Sequence, residues 1–442
     1  MDAISYQQHL AVLDRRWSEA LAFAGFDAAV VAAGAPREFF LDDQGPPFRA
    51  NPHLLQWLPE PDCAHAALLI RPGARPRLFF HQPRDFWHAP PEVPEWAGDH
   101  MDVEVHHDLA TLDAAVAGAM SGYNRMAFVG ETPPDNLGSA EHNPPLLLNH
   151  LHFHRAYKTP FEVACMVTAN HRAAAGHCAA RAAFEAGASE FDIHLRYLGA
   201  ARQPPEELPY PSIVARDRHA GVLHYQHYDR TAPEPRRSFL IDAGASAHGY
   251  AADVTRTYAG DAPGAGAFAE LVTAMDAAQR NLVDAVRPGL DYVRLHELAH
   301  EEVARILSEQ GLIRTSPDSA LETGLTRSFL PHGVGHLIGL QTHDVGGQQV
   351  NPEGGLRPAP AEHPALRLTR SIEPDQVFTV EPGLYFIPML LDEVAAGPLA
   401  GLVDWARVDA MRPFGGIRIE DNVLVTESGV RNLTREAFAQ HG

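Results

Sequence analysis

The segment 330–347 reads LPHGVGHLIGLQTHDVGG and places His332, His336 and His343 among glycine and apolar residues. At the two-residue period of a strand, His332 and His336 share one face, whereas His343 has the opposite parity unless a turn intervenes. The glycines of the segment permit such a turn. These imidazoles are either hydrogen-bonded core groups or ligands, so other parts of the chain must decide between the two interpretations.

Length and composition indicate a globular enzyme with two domains. The chain has 442 residues, of which 45% are hydrophobic and 21% are charged, so disordered and fibrous classes are excluded. It contains no apolar run of about 18 residues, and its N-terminus lacks the pattern of a secretory signal. We therefore expect a cytoplasmic protein without a membrane partner.

The net charge argues against two classes of partner, and the cysteine content indicates the redox compartment. The formal net charge of −21 argues against nucleic-acid and anionic-membrane partners, because a phosphate backbone rewards clusters of Lys and Arg. Cys63, Cys165 and Cys178 form no CxxC motif and cannot all pair. They are expected to be free thiols in a reducing compartment.

The chain is expected to divide at Thr159, where a Thr-Pro step precedes a long helical pattern. Residues 1–158 are predicted to form an N-terminal α/β domain, with a helix over 5–24, a strand over 27–33 and a long functional loop before a hairpin. Alternating histidines in HLHFHR, 150–155, predict a strand with a solvent-facing histidine row. Residues 159–442 are predicted to form the second domain. Its predicted helices run to about 185, from Ser189, over 264–286 and over 292–310, and its predicted strands include GVLHYQ, 221–226, and the stretch that holds 330–347.

The segment HELAH, 296–300, matches the HExxH pattern of zinc peptidases, in which two imidazoles lie one helical turn apart beside a glutamate base. Glu322 lies at a distance in sequence that suits a third ligand. The alternative is a solvated face of a charged helix. A five-residue pattern with three fixed letters arises easily by chance, so this motif alone does not identify an enzyme.

Carboxylates inside apolar strands are a more informative signal. SFLIDAGA and YAADVTRTY, 238–245 and 250–258, predict a hairpin that brings Asp242 and Asp253 together. Two facing carboxylates are destabilising unless a cation lies between them. This pair therefore indicates a cation site.

Two later strands add further charged residues. VFTVEPGLYF places Glu381 at the end of an apolar strand, and GGIRIEDNVLV places Arg418 and Glu420 on one face of another. Each could be half of a buried ion pair. With Asp242, Asp253 and His336, however, they make a set of four carboxylates and one imidazole.

This set suits two divalent cations, because four negative charges balance two M²⁺ ions and mainly oxygen ligands favour Mn²⁺, Co²⁺ or Zn²⁺ over a thiolate-selected metal. Bridging carboxylates would hold the ions roughly 3.5–4 Å apart. Such a pair lowers the pKa of a shared water and polarises a carbonyl group. Hydrolysis is the predicted chemistry.

Five motifs resemble those of the pita-bread metallopeptidases: IDAG, DVTRTY, PHGVGHLIGLQTHDVGG, TVEPGLYF and FGGIRIEDNVLV. Their sequences are most similar to the bacterial prolidase (Xaa-Pro dipeptidase) branch and its organophosphorus acid anhydrolase relatives. The likeness extends from YKTPFE to near the C-terminus, and FFLDDQGPPFRANPH resembles the N-terminal domain of the same branch. The resemblance implies an α+β fold, with a C-terminal pita-bread domain behind a creatinase/prolidase-type N-terminal α/β domain. HELAH would then be a surface helix.

The resemblance also implies roles for the ligand set. Asp242 and Asp253 would hold one metal ion, with Asp253 bridging. His336 and Glu381 would hold the other, and Glu420 would bridge. A hydroxide shared by the two ions would be the nucleophile.

Roles beyond the ligands follow from the same resemblance. Glu381 would pass a proton to the leaving imino nitrogen, His343 would hydrogen-bond the developing oxyanion, and His224 would line the site. A substrate carboxylate would be faced by basic residues, namely His332, Arg418 and Arg367. Asp43 and Trp87, on N-terminal loops, would reach the active site of the partner subunit in a homodimer.

The implied activity is hydrolysis of Xaa-Pro dipeptides, with a side activity on organophosphorus triesters. Aminopeptidase P, which acts on longer Xaa-Pro peptides, has the same fold and ligands and remains an alternative. A phosphotriesterase is the second alternative, because the same nucleophile can attack phosphorus.

Overall fold

The computed structural model describes residues 3–133 and 138–441, and the chain forms two compact units. One comprises Met1–Val163 with Gln349–Leu356, and the other Ala164–Gln348 with Arg357–Gly442. The predicted boundary at Thr159 lies close to the change of unit. Nothing in the sequence pattern indicated that 349–356 would group with the N-terminal unit.

The helices are α1 (Ala3–Ala24), α2 (Pro52–Leu55), α3 (Ala97–His100), α4 (Leu109–Met120), α5 (Pro145–Arg155), α6 (Pro160–Glu185), α7 (Glu190–Ala201), α8 (Ala265–Ala285), α9 (Tyr292–Glu309), α10 (Pro317–Glu322), α11 (Pro388–Ala396), α12 (Trp405–Met411) and α13 (Leu433–His441). The strands are β1 (Ala28–Ala32), β2 (Ala67–Ile70), β3 (Arg77–His81), β4 (Asp102–His106), β5 (Met126–Val129), β6 (Glu141–His142), β7 (Ile213–Arg216), β8 (Ser238–Asp242), β9 (Ser246–Ala247), β10 (Tyr250–Ala251), β11 (Thr255–Ala259), β12 (Val377–Val380), β13 (Gly383–Tyr385), β14 (Gly416–Arg418), β15 (Asp421–Thr426) and β16 (Gly429–Asn432).

The first unit is built on a six-stranded sheet with strand order β4-β3-β2-β1-β5-β6. Strand β1 is apolar because it lies inside this sheet, antiparallel to β2 and parallel to β5. Val30, Leu69 and Phe79 pack on one face against Leu112 and Val116 of α4. The predicted first helix, first strand and β2–β3 hairpin are confirmed.

The histidine row of HLHFHR does not lie on a strand. It belongs to α5, where Pro145 occupies the first turn and the buried Leu147 and Leu151 are spaced by four residues. His150 and His154 have the same helical spacing, and their ring centroids are 4.6 Å apart. The strand prediction was wrong because the alternation of histidines concealed this apolar helical period.

In the second unit, α6 to α9 confirm the predicted helices, and Ser189 caps α7 by accepting a hydrogen bond from the backbone N–H of Asp192. Phe184 of α6 and Tyr197 of α7 belong to one buried cluster with Phe239 and Ile241 of β8. Because strand residues alternate, the side chain of Asp242 points to the opposite face, away from these helices.

Two predicted strands of this unit are absent. GVLHYQ, 221–226, follows a 3₁₀ turn and is irregular, and 330–347 contains only the isolated bridge between Leu337 and Phe378. A close backbone approach explains the second case. A Cβ at Gly335 would lie 2.1 Å from the Thr379 carbonyl oxygen and 2.2 Å from the Tyr292 hydroxyl, so only glycine fits.

Among the described residues, no helix is both long and apolar enough to cross a bilayer.

Candidate active site

Asp242 and Asp253 meet at a tyrosine. Strand β8 ends at Asp242, which pairs with Thr255 of β11, and Asp253 lies in the break between β10 and β11. The Tyr210 hydroxyl is 2.7 Å from Asp242 Oδ1 and 2.6 Å from Asp253 Oδ1. The predicted proximity of the two carboxylates is therefore seen, although they are not direct cross-strand partners.

The backbone of Asp253 is fixed by Asn422, the residue that follows Glu420-Asp421 in the motif of β15. Asn422 accepts a hydrogen bond from the Asp253 N–H at 3.0 Å and donates to the Asp253 carbonyl at 2.6 Å. A buried amide with both functions satisfied holds a strand break in one conformation.

His336 is positioned by β12. Its backbone N–H donates to Thr379 Oγ1 at 3.1 Å, and its carbonyl accepts from the Thr379 N–H at 2.9 Å. The ring Nδ1 lies 3.0 Å from the Leu337 carbonyl, which can only accept, so Nδ1 carries the proton. The other nitrogen, Nε2, faces carboxylates, 3.4 Å from Asp253 Oδ2 and 3.8 Å from Glu381 Oε1.

Glu381 and Glu420 both lie directly beyond strand ends. Glu381 follows β12 and donates its backbone N–H to the Val334 carbonyl at 2.8 Å. Glu420 lies between β14 and β15 and accepts a hydrogen bond from Thr255 Oγ1 at 2.8 Å through Oε2. Its other oxygen, Oε1, is buried without a hydrogen-bond partner among the described residues.

Burial sets the protonation of this cluster. It raises the pKa of Glu381 to about 7, raises that of Glu420 well above its ordinary value, and raises that of Asp242. Burial also opposes ionisation of Asp253, but the hydrogen bond and charge of His336 outweigh it and lower the pKa of Asp253. Carboxylates that resist ionisation together indicate a missing positive charge.

The donor set fits divalent cations. Ligand atoms of Asp253, His336 and Glu420 lie within 4.8 Å of one another, and Glu420 Oε1 is a buried acceptor that needs a partner. The hydrogen bonds of Asp242 leave room for coordination, because each carboxylate oxygen has two lone pairs. The predicted ligands, including Glu381, therefore lie together in one charged site.

Arg418 lies beside the carboxylates as part of a buried network. Its guanidinium donates to Asp242 Oδ2 at 2.6 Å, to the Tyr385 hydroxyl at 2.7 Å and to Thr255 Oγ1 at 3.3 Å. The Tyr385 hydroxyl also lies 2.9 Å from His332 Nε2. These contacts use three of the five N–H donors of Arg418 and leave one on each terminal nitrogen.

The remaining predicted residues of the second unit are His343, His332, His224 and Arg367. The rings of His336 and His343 meet edge to face, with centroids 4.4 Å apart. Burial, followed by the charges of His336 and Arg367, lowers the pKa of His343 to about 4. His224 contributes to the same field at His343 and at His332, whose pKa is also lowered to about 4, chiefly by burial. Both rings are therefore neutral at pH 7.

Asp43 and Trp87 lie in loops of the first unit. Trp87 is 79% exposed, and Asp43 is exposed and accepts a hydrogen bond from the Gln44 side chain at 3.3 Å. Phe40 and Leu41, beside Asp43, are 93% and 90% exposed.

The observed structure of HELAH fits neither of its two interpretations. His296 and His300 are 1% and 4% exposed and lie on the buried face of α9, so the predicted solvated face is wrong for these two residues. Glu297 is exposed and pairs with Arg294, and Glu322 is exposed as well. Neither glutamate can act on a metal at the histidines, so the zinc-peptidase interpretation lacks its base.

Comparison with known proteins gives the family. Residues 164–427 match metallopeptidase family M24, and residues 4–153 match the Xaa-Pro dipeptidase N-terminal domain. The chain belongs to metallopeptidase family M24. Relatives named Xaa-Pro dipeptidase from Stenotrophomonas maltophilia (strain K279a) and Xanthomonas campestris pv. campestris (strain B100) are 49% and 46% identical, covering 98% and 99% of this chain and 97% and 98% of theirs.

Solved structures agree with the M24 fold. The aminopeptidase PepP of Pseudomonas aeruginosa superposes with a TM-score of 0.72 at 24% identity, covering 99% of this chain and 98% of that chain. Escherichia coli aminopeptidase P with the inhibitor Pro-Leu gives a TM-score of 0.69 at 21% identity, covering 100% and 98%. The predicted pita-bread domain with its N-terminal domain is confirmed, and the M24 family implies divalent metal ions in a peptidase.

Sequence reasoning missed three residues that contact the carboxylate cluster or Arg418, namely Tyr210, Thr255 and Tyr385. Each contacts a predicted ligand or Arg418 through its hydroxyl. Thr255 could have been found, because it lies two residues after Asp253 in the DVTRTY motif. Tyr210 stands between two prolines in LPYPS and carries no such signal.

Proposed function

We propose that this M24 enzyme is an Xaa-Pro dipeptidase that uses two divalent ions, Mn²⁺ in preference to Co²⁺ or Zn²⁺. The observation that carries the proposal is the convergence of four carboxylates, three of them buried, and His336 on one site, with Arg418 beside them. The names of the relatives support the same substrate. Asp242 and Asp253 would hold one ion, with Asp253 bridging, and Glu420 would bridge to the ion held by His336 and Glu381.

Two bound divalent ions would supply an activated water and polarise the scissile carbonyl. The residues of the chain would do the rest. Glu381 would accept the proton of the attacking water and deliver it to the leaving nitrogen. Neutral His343 would donate a hydrogen bond to the developing oxyanion, and His224 would line the site.

Arg418 is proposed to recognise the free carboxylate of a dipeptide, with Arg367 as a further donor and His332, whose Nδ1–H donates to the Gly333 carbonyl, lining the same place. The unused N–H on each of its two terminal nitrogens would contact the carboxylate. That contact is worth about 1.5–3 kcal/mol, or roughly ten to a hundredfold in kcat/KM. A longer peptide places its carboxylate elsewhere and would lose this gain.

The test compares Ala-Pro, Ala-Pro-amide and Ala-Pro-Ala on the wild type, Arg418→Lys and Arg367→Ala. We expect the wild type to prefer the dipeptide to its amide by roughly ten to a hundredfold in kcat/KM. Arg418→Lys should abolish most of that ratio. Because Arg418 also binds Asp242, the ratio of two substrates on one variant, rather than the absolute rate, is the informative quantity, and metal content is measured alongside.

If the amide and the tripeptide are cleaved as well as the dipeptide by the wild type, the carboxylate contact does not set substrate length. An aminopeptidase P, the second candidate, is then favoured, and the fold shared with PepP is compatible with it. If Arg367→Ala rather than Arg418→Lys removes the preference for the dipeptide, the exposed Arg367 recognises the substrate carboxylate. Turnover of a phosphotriester such as paraoxon by the same preparation would test the proposed side activity.

We also propose that the enzyme is a cytoplasmic homodimer in which Asp43 and Trp87 reach the partner's site. The cysteines are free, which suits a reducing compartment. Phe40, Leu41 and Trp87 are large apolar side chains exposed on loops of one unit, where a second copy would cover them.

Light scattering on Phe40→Ser/Leu41→Ser is expected to show a shift from dimer to monomer with loss of activity at nanomolar concentration. Leu109→Ser is the matched control, since Leu109 is 41% exposed on α4 of the same unit and should leave the dimer intact. A wild-type monomer that is fully active at nanomolar concentration would contradict the proposal.

A further inference from the structure

A second cluster of ligand-type side chains lies on α9, outside the carboxylate site. His296 and His300 are one helical turn apart on its buried face, and His363 joins them from the segment before Leu366. Ring centroids are separated by 4.8 Å for His296–His300, 4.4 Å for His296–His363 and 4.7 Å for His300–His363. Each ring offers a nitrogen within 4.8 Å of the other two.

Two nitrogens of this cluster are buried without a hydrogen-bond partner among the described residues, namely His296 Nδ1 and His300 Nε2. The other nitrogen of His300 lies 3.0 Å from Thr326 Oγ1. When Nδ1–H donates to that hydroxyl, the lone pair of Nε2 is free inside the cluster, which is how proteins prepare an imidazole for coordination. Unpaired buried polar atoms of this kind require an explanation.

An anion does not explain the cluster. Burial, followed by repulsion from neighbouring imidazoles, lowers the pKa of His296 to about 2 and that of His300 to about 3. The rings are therefore neutral at pH 7 and keep their lone pairs, which suits a cation. Arg327 and Glu362 line the adjoining cavity of about 180 Å³, and their opposite charges balance there.

We propose that His296, His300 and His363 bind one further divalent transition-metal ion, of which Zn²⁺ is the representative, with a coordination position open to this cavity. Neutral imidazoles favour Zn²⁺, Ni²⁺ and Cu²⁺ over Mn²⁺, which prefers oxygen ligands. Zn–N bonds of about 2.0–2.1 Å place ligand nitrogens about 3.4 Å apart in a tetrahedron, so the cluster must contract. His363, half-buried on an irregular segment, is the ligand that can move.

The two proposed metal sites differ in chemistry, and the difference separates them in an experiment. The carboxylate site offers mainly oxygen, whereas the α9 cluster offers only nitrogen. Protein saturated with Mn²⁺ should therefore retain its two Mn²⁺ ions and take up one Zn²⁺ per chain when dialysed against stoichiometric Zn²⁺. The Zn X-ray absorption edge should report three nitrogen ligands of imidazole type.

Bound metals are to be counted by mass spectrometry in the wild type and three variants. His363→Ala, at a half-exposed position, should lose the Zn²⁺ while keeping the fold. Thr326→Val should weaken Zn²⁺ binding by about 10–100-fold, the usual effect of losing a partner of a ligating histidine. His107→Ala removes an exposed imidazole of the first unit and should change nothing.

Equal Zn²⁺ uptake by the wild type and His363→Ala would overturn the proposal, as would an oxygen-rich Zn edge or loss of one Mn²⁺ for each Zn²⁺ bound. The result is independent of the proposed dipeptidase activity, because ions are counted without turnover. Asp253→Asn protein provides the converse check, since it should retain the nitrogen-ligated Zn²⁺ after losing activity.

Discussion

Asp253→Asn should lose hydrolytic activity by more than about 100-fold, a loss that removal of an outer partner of a metal ligand can already approach. Asp253 accepts hydrogen bonds from Tyr210 and faces His336 Nε2, so it lies at the centre of the carboxylate cluster. The amide keeps the shape and removes the charge that would hold two cations. Glu420→Gln should behave alike, because Glu420 Oε1 is the buried oxygen without a partner.

Metal content measured with kcat distinguishes a lost ligand from a lost fold. Both variants should bind fewer than two Mn²⁺ ions per chain and retain cooperative unfolding. Glu297→Gln is the matched control, because Glu297 is exposed on α9 and would be the base if HELAH were a zinc-peptidase motif. It should leave activity unchanged. Normal activity of Asp253→Asn in metal-free buffer would disprove the dinuclear site.

The four carboxylates of the predicted ligand set were suggested by one local contradiction, a charge within or at the end of an apolar strand-like segment. Asp242 ends SFLID, and Glu381 ends VFTV. A charged residue in such a context can be recognised as unusual without knowledge of the fold. Their convergence does not follow from the strands alone, because β8 and β12 belong to different sheets, which are linked near the site by the isolated bridge between Thr255 and Glu420.

Residues that act only through distant contacts could not be predicted. Tyr210 reaches Asp242 and Asp253 across 32 and 43 residues, from a turn without periodicity. The histidine cluster likewise depends on His363, which comes to α9 from a separate irregular segment. The HELAH motif was noticed for its helical spacing, but its buried orientation depends on tertiary packing around Leu295 and Ala299.

Strand predictions failed for a related reason. The segment 330–347 has apolar residues and paired glycines, and a period of two places His332 and His336 on one face. The chain instead follows β12 closely, and its carbonyls at Val334 and His336 accept backbone hydrogen bonds from Glu381 and Thr379. Close contact with another backbone, and not pairing in a regular ladder, is what its glycines make possible.

Metal-free protein should become less stable as pH rises through the range that titrates Glu381. The pKa of Glu381 is about 7 in the folded chain, against 4.5 for the ordinary group. Between these values the folded state holds a proton that the unfolded state releases. The stability due to this protonated group is therefore complete below about pH 4.5 and lost as pH rises through 7, a change on the order of 3 kcal/mol.

Buried histidines such as His332 and His343 change stability in the opposite sense, because their lowered pKa values make protonation at acid pH favour unfolding. Comparison of metal-free wild type with metal-free Glu381→Gln cancels that contribution, since both proteins contain the same histidines. Urea unfolding gives the free energy of unfolding of each protein. From pH 5 to pH 8, the value for Glu381→Gln should rise relative to that of the wild type by about 3 kcal/mol. The exposed Glu427→Gln serves as control for the substitution itself.

Addition of Mn²⁺ should reverse the trend in the wild type, because the ions bind ionised carboxylates and stabilise the folded state by mass action. The stability difference between loaded and metal-free wild type should therefore widen from pH 5 to pH 8, and in Glu381→Gln it should widen less. A difference that stays constant over this range in both proteins would mean that Glu381 does not release a proton when the ions bind. In that case the group could not act as the proton carrier of the reaction.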